Sequence, residues 1–264
     1  MGGSEDGGEL VLERLLPAAA PAGASRIVEE MGLWERSSEP SPRPRLLLNM
    51  VATVDGRATL GGRSGPIGDV ADHQLFHALR AAVDGVLVGA GTVRTERYGR
   101  LIREDSVRAL RASRGMPEEP LACIVSGRLA LAEDVPLLQE PSAHVVVLTA
   151  SAASLPPVAA VVDYVRAGEG QLDLAAAITQ LAERFSVQTL LCEGGPHLAR
   201  ELIAAGLLDE LLLSVSPMLV GGEPSGGEAL RVLAGVELDS PARLELLGVL
   251  RCSSELFLRY RVSA

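Results

Sequence analysis

The chain has 264 residues, 47% hydrophobic and 22% charged, which suits one large α/β domain and excludes a disordered chain. A net charge of −10 and only 3% aromatics disfavour nonspecific binding to nucleic acid or anionic membranes and a base-stacking surface. No apolar run reaches membrane-spanning length, residues 1–6 lack the features of a secretory signal, and Cys123, Cys192 and Cys252 read as free thiols, so a cytoplasmic setting is expected.

In chain order, residues 1–44 read as an N-terminal arm ahead of a domain at 45–264. Residues 17–24 are rich in Ala, Pro and Gly, and 37–44 in Ser, Pro and Arg. Between them, 26–36 predict a short helix with Ile27, Met31 and Trp34 on one face. The arm is either poorly ordered or draped over the domain or a partner subunit. Residues 46–54 have no polar face until Asp55, which predicts a central parallel strand buried on both sides. Asp55-Gly56 is then a turn. Asp69 is placed to cap a helix that runs to about Val83, with Leu75, Phe76, Leu79 and Val83 inward. A short apolar strand at 86–89 ends in Gly89-Ala90-Gly91-Thr92. A polar helix near 105–114 and strands at 121–125 and 144–149 follow. Leu174, Ile178, Leu181 and Phe185 then mark a helix. Strand 189–192 runs into Glu193-Gly194-Gly195-Pro196-His197-Leu198 and an amphipathic run at 199–205. A strand at 211–215 precedes two more at 244–250 and 255–262, which leave little room for a helix between them. That pair reads as an antiparallel hairpin on a mostly parallel sheet flanked by helices, an α/β fold.

Two strands therefore end in glycines ahead of a helix. Such turns let bare backbone N–H groups approach a phosphate, which a Cβ would obstruct. The first is not the dinucleotide fingerprint, because its third glycine would fall at Arg94. Two of them suggest one extended, phosphate-bearing ligand across the carboxyl ends of the sheet, with Gly89 and Gly91 at one turn and Gly194 and Gly195 at the other. An ordinary strand–turn–helix corner explains either one alone equally well. Arg94, Arg97, Arg100 and Arg103 follow the first turn. They are either a solvated face or include a phosphate ligand. His73 and His77 have metal-ligand spacing, but Gln74 stands where a zinc protease needs Glu and no third ligand follows, so no metal is expected. No G-x-S-x-G elbow is present.

Taken together, these pieces resemble a known family. Asn49 to Gly56, Leu79-Arg80-Ala81 with Asp84 to Val93, Cys192 to Pro196, Gly206-Leu207-Leu208-Asp209-Glu210, and Ser216 to Gly222 occur in the order of the riboflavin-biosynthesis pyrimidine reductases. The likeness covers about residues 45–262. The zinc deaminase signature of the fused bacterial members is absent, so the chain is similar to the stand-alone reductase form. One segment departs from the family: its acid usually heads D-x-P after the glycine turn, whereas here Glu96 is followed by Arg97 and Tyr98.

The resemblance implies a dihydrofolate reductase-like fold, NADPH as hydride donor, a small-molecule substrate and a homodimer built near the C-terminal strands. It implies cofactor contacts at Thr92, Glu96, Ser126, Gly194, Gly195, Pro196, His197 and Leu198; Ser126-Gly127-Arg128 would suit the 2′-phosphate. Asn49, Ser64, Arg80 and Arg103 align with substrate-side positions. Asp55 and Glu193 are the catalytic candidates, as carboxylates that stabilise an iminium or anchor an aminopyrimidine edge. Hydride would pass from the nicotinamide to C1′ of a ribosylamino group. The substrate is then 5-amino-6-(5-phosphoribosylamino)uracil or its 2,5-diamino precursor. Two other readings stay open: a dihydrofolate or pterin reductase of the same fold, and a non-catalytic nucleotide-binding protein. Asp55, Glu193 and the Gly-Gly turn argue against the latter, and the altered loop at 96–103 keeps the former alive.

Overall fold

The computed structural model describes residues 9–39, 41–222 and 230–263; the segment read for a secretory signal lies outside them. Eleven strands form one sheet in the order β2-β1-β10-β11-β9-β3-β8-β4-β5-β6-β7. These are β1 (Val11–Leu16), β2 (Ala19–Gly23), β3 (Arg45–Thr53), β4 (Gly85–Gly89), β5 (Leu121–Val125), β6 (His144–Thr149), β7 (Val161–Arg166), β8 (Thr189–Cys192), β9 (Glu210–Ser216), β10 (Arg243–Cys252) and β11 (Glu255–Ser263). From β9 to β7 every pairing is parallel. From β9 outward through β11, β10, β1 and β2 every pairing is antiparallel. The helices are α1 (Ala24–Glu30), α2 (Val70–Ala82), α3 (Ala90–Thr95), α4 (Asp105–Ser113), α5 (Leu174–Phe185) and α6 (Pro196–Ala204).

Strand alternation sorts the core into two layers. Leu47, Val86, Val88, Ile124, Val145 and Val147 face one side and pack with Ile27, Leu75, Leu79 and Val93 from α1, α2 and α3. Leu46, Leu48, Leu87, Cys123, Val146 and Leu148 face the other and pack with Ile178, Leu181, Leu198 and Leu202 from α5 and α6. Strand β3 lies between β8 and β9, both parallel to it, and Leu47 packs into one layer while Leu46 and Leu48 pack into the other, the burial on both faces that its sequence predicts. The Asp69 side chain accepts from the Ala71 and Asp72 N–H groups and so starts α2. No helix among the described residues is long and apolar enough to cross a membrane.

Strand β1 pairs antiparallel with β10, and residues 11–30 lie on the domain as part of its sheet and helical layer. The helix expected at 26–36 ends at Glu30; Met31 and Trp34 lie beyond it yet pack on the same cluster. Arg114 stacks on Trp34, 4.3 Å from the ring centre. Strand β7 also escaped the sequence reading. It is an edge strand on β6, and only one of its six residues is buried.

The tight turn from β10 to β11 buries an acid against the start of α2. Glu255 is 1% exposed, and no donor completes a hydrogen bond to either of its oxygens. Burial, then the hydrogen bond and charge of Asp69 and the charge of Asp72, push its carboxyl up to about 8. The folded protein thus holds a proton that the unfolded chain releases. That contribution is full below the ordinary carboxyl range and is lost as pH rises towards 8. Glu255→Gln is expected to flatten this loss, by at most about 1.4 kcal/mol per pH unit within the window. Melting curves at pH 5, 7 and 8.5 check it: the variant should gain on the wild type as pH rises, and a constant difference would contradict the assignment.

Candidate active site

A cavity of about 600 Å³ opens at the carboxyl ends of β3, β4 and β8, bounded by α2, α3, the loop after α3 and the start of α6. Asn49, Ser64, Arg80, Gly89, Gly91, Thr92, Glu96, Arg103, Glu193, Gly195, Pro196, His197 and Leu198 line it, so most of the residues singled out in the sequence come together.

The two glycine turns are adjacent because β4 and β8 are neighbours. The Gly89 N–H donates to the Gly194 carbonyl at 2.9 Å. Gly194 adopts φ +88, open to glycine at little cost, and sits against Met50, so it backs the turn instead of lining the cavity. A Cβ on Gly195 would lie 2.7 Å from Thr92 Oγ1. Gly195 is the N-cap of α6 and Pro196 its first residue, with no side chain capping the helix. Helix N–H groups beside a turn without side chains are a fit for a dinucleotide pyrophosphate.

Opposite the turn, Glu193 and Arg80 form a buried pair, their side chains 2% and 10% exposed. Arg80 Nε donates to Oε1 at 2.6 Å and Nη2 to Oε2 at 2.7 Å. The Tyr98 hydroxyl donates to Oε2 at 2.8 Å. The Arg80 guanidinium stacks on Phe76, 4.2 Å from its centre. Burial works against the Arg80 charge, but the Glu193 carboxylate outweighs it and holds the proton more firmly than usual. Burial and the same carboxylate push the Tyr98 phenol well up, so it remains a donor. Arg80 is thus committed to Glu193 and not free for a ligand phosphate. Phe76, expected in the core, instead floors the cavity beneath Arg80, one helical turn before it.

Two other site candidates lie apart from the cavity lining. Asp55 does not line the cavity. Its carboxylate accepts from the Thr53 hydroxyl and from the Val220 and Gly221 N–H groups. Those contacts, Thr53 first, hold its carboxyl below the usual range and tie the end of β3 to the loop after β9. Ser126 is buried at the end of β5 and also lies off the cavity, whereas Arg128 beyond it is exposed. Ser64 and Glu96 stand together: the Ser64 N–H and hydroxyl both donate to Glu96 Oε1, at 2.8 and 3.1 Å.

The four loop arginines separate by partner. Arg94 donates to the Ala130 carbonyl, Arg97 faces Asp134 and Arg100 holds Glu119. Among the described residues no side-chain partner is seen for Arg103, which is exposed at the cavity wall.

Residues 44–258 match the family model described as the RibD C-terminal domain. The chain belongs to that family. The reductase named 2,5-diamino-6-ribosylamino-4(3H)-pyrimidinone 5′-phosphate reductase from Methanothermobacter thermautotrophicus is 27% identical over 228 residues, covering 83% of this chain and 99% of the relative. Its namesake from Archaeoglobus fulgidus is 27% identical over 186 residues, covering 69% and 84%. A crystal structure of a pyrimidine reductase-like protein from Corynebacterium diphtheriae superposes with a TM-score of 0.67 at 25% identity, covering 84% of this chain and 92% of that one. Both archaeal relatives are named as reductases of a ribosylamino-pyrimidinone 5′-phosphate. The cavity is the candidate active site of this chain.

Proposed function

We propose that the chain reduces a phosphoribosylamino-pyrimidine with hydride from NADPH. The substrate in this reading is 5-amino-6-(5-phosphoribosylamino)uracil or its 2,5-diamino precursor. The observation that carries it is the pairing, on one cavity, of a glycine turn at a helix start with Arg103, for which no side-chain partner is seen among the described residues. The turn suits the cofactor pyrophosphate and Arg103 suits the substrate phosphate. Bound NADPH supplies the hydride. The chain aligns donor and acceptor, with Thr92, Glu96, His197 and Leu198 on the cofactor side and Asn49 and Ser64 nearer the substrate. Exposed Arg128 is the cation offered to the 2′-phosphate. Leu244 and Leu246, exposed on β10, suit the homodimer contact, and the buried thiols Cys123 and Cys192 suit a reducing cytoplasm. The pterin alternative gains nothing: Asp55 is off the cavity and Glu193 is taken by Arg80 and Tyr98.

Arg103→Ala is expected to lower kcat/KM for the phosphorylated pyrimidine by one charge-assisted bond, roughly 10–150-fold. A dephosphorylated analogue should be hardly affected. NADPH oxidation, followed with each pyrimidine and with dihydrofolate, tests the reading. Turnover of dihydrofolate without pyrimidine reduction would overturn it.

A further inference from the structure

We infer that a second cavity, on the α1–α2 side of the sheet, binds a small anionic amphiphile, an apolar body of about ten non-hydrogen atoms that carries a carboxylate. The cavity encloses about 280 Å³ between α1, α2 and strands β1, β9, β10 and β11. Its inner end is apolar, closed by Ile27, Leu75, Leu79, Leu212 and Phe257, all buried. An apolar cavity of about 150 Å³ holds a benzene-sized molecule, so this one has room for roughly twice that. Two strand irregularities shape its outer end. Strand β10 shifts register between Leu246 and Gly248 and β1 between Arg14 and Leu16, and they face each other, because Leu16 pairs with Val249. A Cβ on Gly248 would lie 3.2 Å from the Leu16 carbonyl, so glycine is what lets the two strands approach there. Bulges bend a strand and re-aim its side chains, and they are common beside functional sites. Leu16 and Pro17, both exposed, stand at the mouth.

The same irregularities place the charges that select the head group. Arg14 precedes the β1 shift, and Arg259 pairs with Gly248 across β11. Both line the cavity, against one acid, Glu30. Arg14 Nη2 meets Glu30 at 2.5 Å, and Arg259 Nε donates to Glu210 at 2.6 Å. Their side chains are 15% and 29% exposed, so a ligand in the cavity can reach them. Among the described residues no hydrogen bond is seen from Arg14 Nε and Nη1 or from either Nη of Arg259, which leaves N–H donors for a carboxylate. A cationic head would meet two like charges instead. Asn49 lines this cavity and the candidate active site, so the occupant lies next to that site and outside it.

Calorimetric titration of octanoate, octan-1-ol and octylammonium into the protein tests this, needs no turnover and is independent of the reductase reading. The wild type should bind octanoate about tenfold or more tighter than octylammonium, one charge-assisted bond's difference. Leu250→Trp, which puts an indole into the cavity from a half-buried lining position, should abolish octanoate binding. Arg14→Gln should weaken octanoate by about tenfold and leave octan-1-ol unchanged. Arg103→Ala, in the other cavity, should leave octanoate affinity as it is. The proposal is overturned by absent octanoate binding, by equal binding of octanoate and octylammonium, by unchanged binding in folded Leu250→Trp, or by loss of octanoate binding in Arg103→Ala. The first two results come from the wild type alone and stand even if a variant fails to fold.

Discussion

Arg80→Ala is expected to destabilise the protein by about 3–5 kcal/mol, the effect of leaving one partner of a buried ion pair alone. In a chain of this size that lowers Tm by roughly 6–20 °C. The reason is local. Glu193 would keep Tyr98 as its donor but lose both guanidinium bonds, while its side chain is 2% exposed and little water can replace them. Activity should fall equally for phosphorylated and dephosphorylated substrates, because Arg80 acts through Glu193. This separates it from Arg103→Ala, whose effect should follow the phosphate. Differential scanning calorimetry and paired kinetics read the two quantities. A stable Arg80→Ala variant that loses only the phosphorylated substrate would show that the ion pair opens for the ligand.

Gly195→Val is expected to reduce NADPH affinity more than a hundredfold, through loss of about two charge-assisted bonds at the pyrophosphate. A Cβ there would already lie 2.7 Å from Thr92 Oγ1, and the branched valine would fill the space before the first turn of α6. The backbone at Gly195 has φ −75, outside the left-handed region, so the contact with Thr92 is what the variant must relieve. Calorimetric titration with NADPH alongside a melting curve distinguishes binding from folding. Unchanged affinity in a folded variant would make the turn purely structural.

Much of the architecture is written in local pattern. Continuous apolar runs set β3, β5, β6 and β8, and 3.6-residue spacing with an Asp cap sets α2 and α5. The glycine turns were legible because glycine's lack of a Cβ leaves a mark in the chain itself, and motif order identified the family. Strands β1, β2 and β7 were not legible. Ala19-Ala20-Pro21-Ala22-Gly23 has little strand propensity and is held by pairing with β1, a contact local sequence does not encode.

Within the site, residue types announced which groups carry charge, but not which of them satisfy one another. Arg80 and Glu193 are 113 positions apart, and Tyr98 reaches the same carboxylate from a third segment. Read along the chain, Arg80 and Glu193 were free ligand groups and Tyr98 only a departure from the family pattern. Four arginines in ten residues were equivalent in sequence, and only folding gave Arg94, Arg97 and Arg100 their partners and left Arg103 open. Asp55 and Ser126 were drawn to the site by motif and placed elsewhere by hydrogen bonds and burial. Sequence by itself determined the central strands and most helices, the family and the polar inventory of the cleft. Tertiary structure decided which charges are neutralised inside it, because burial forces every ionised group to find its partner in space and not in sequence.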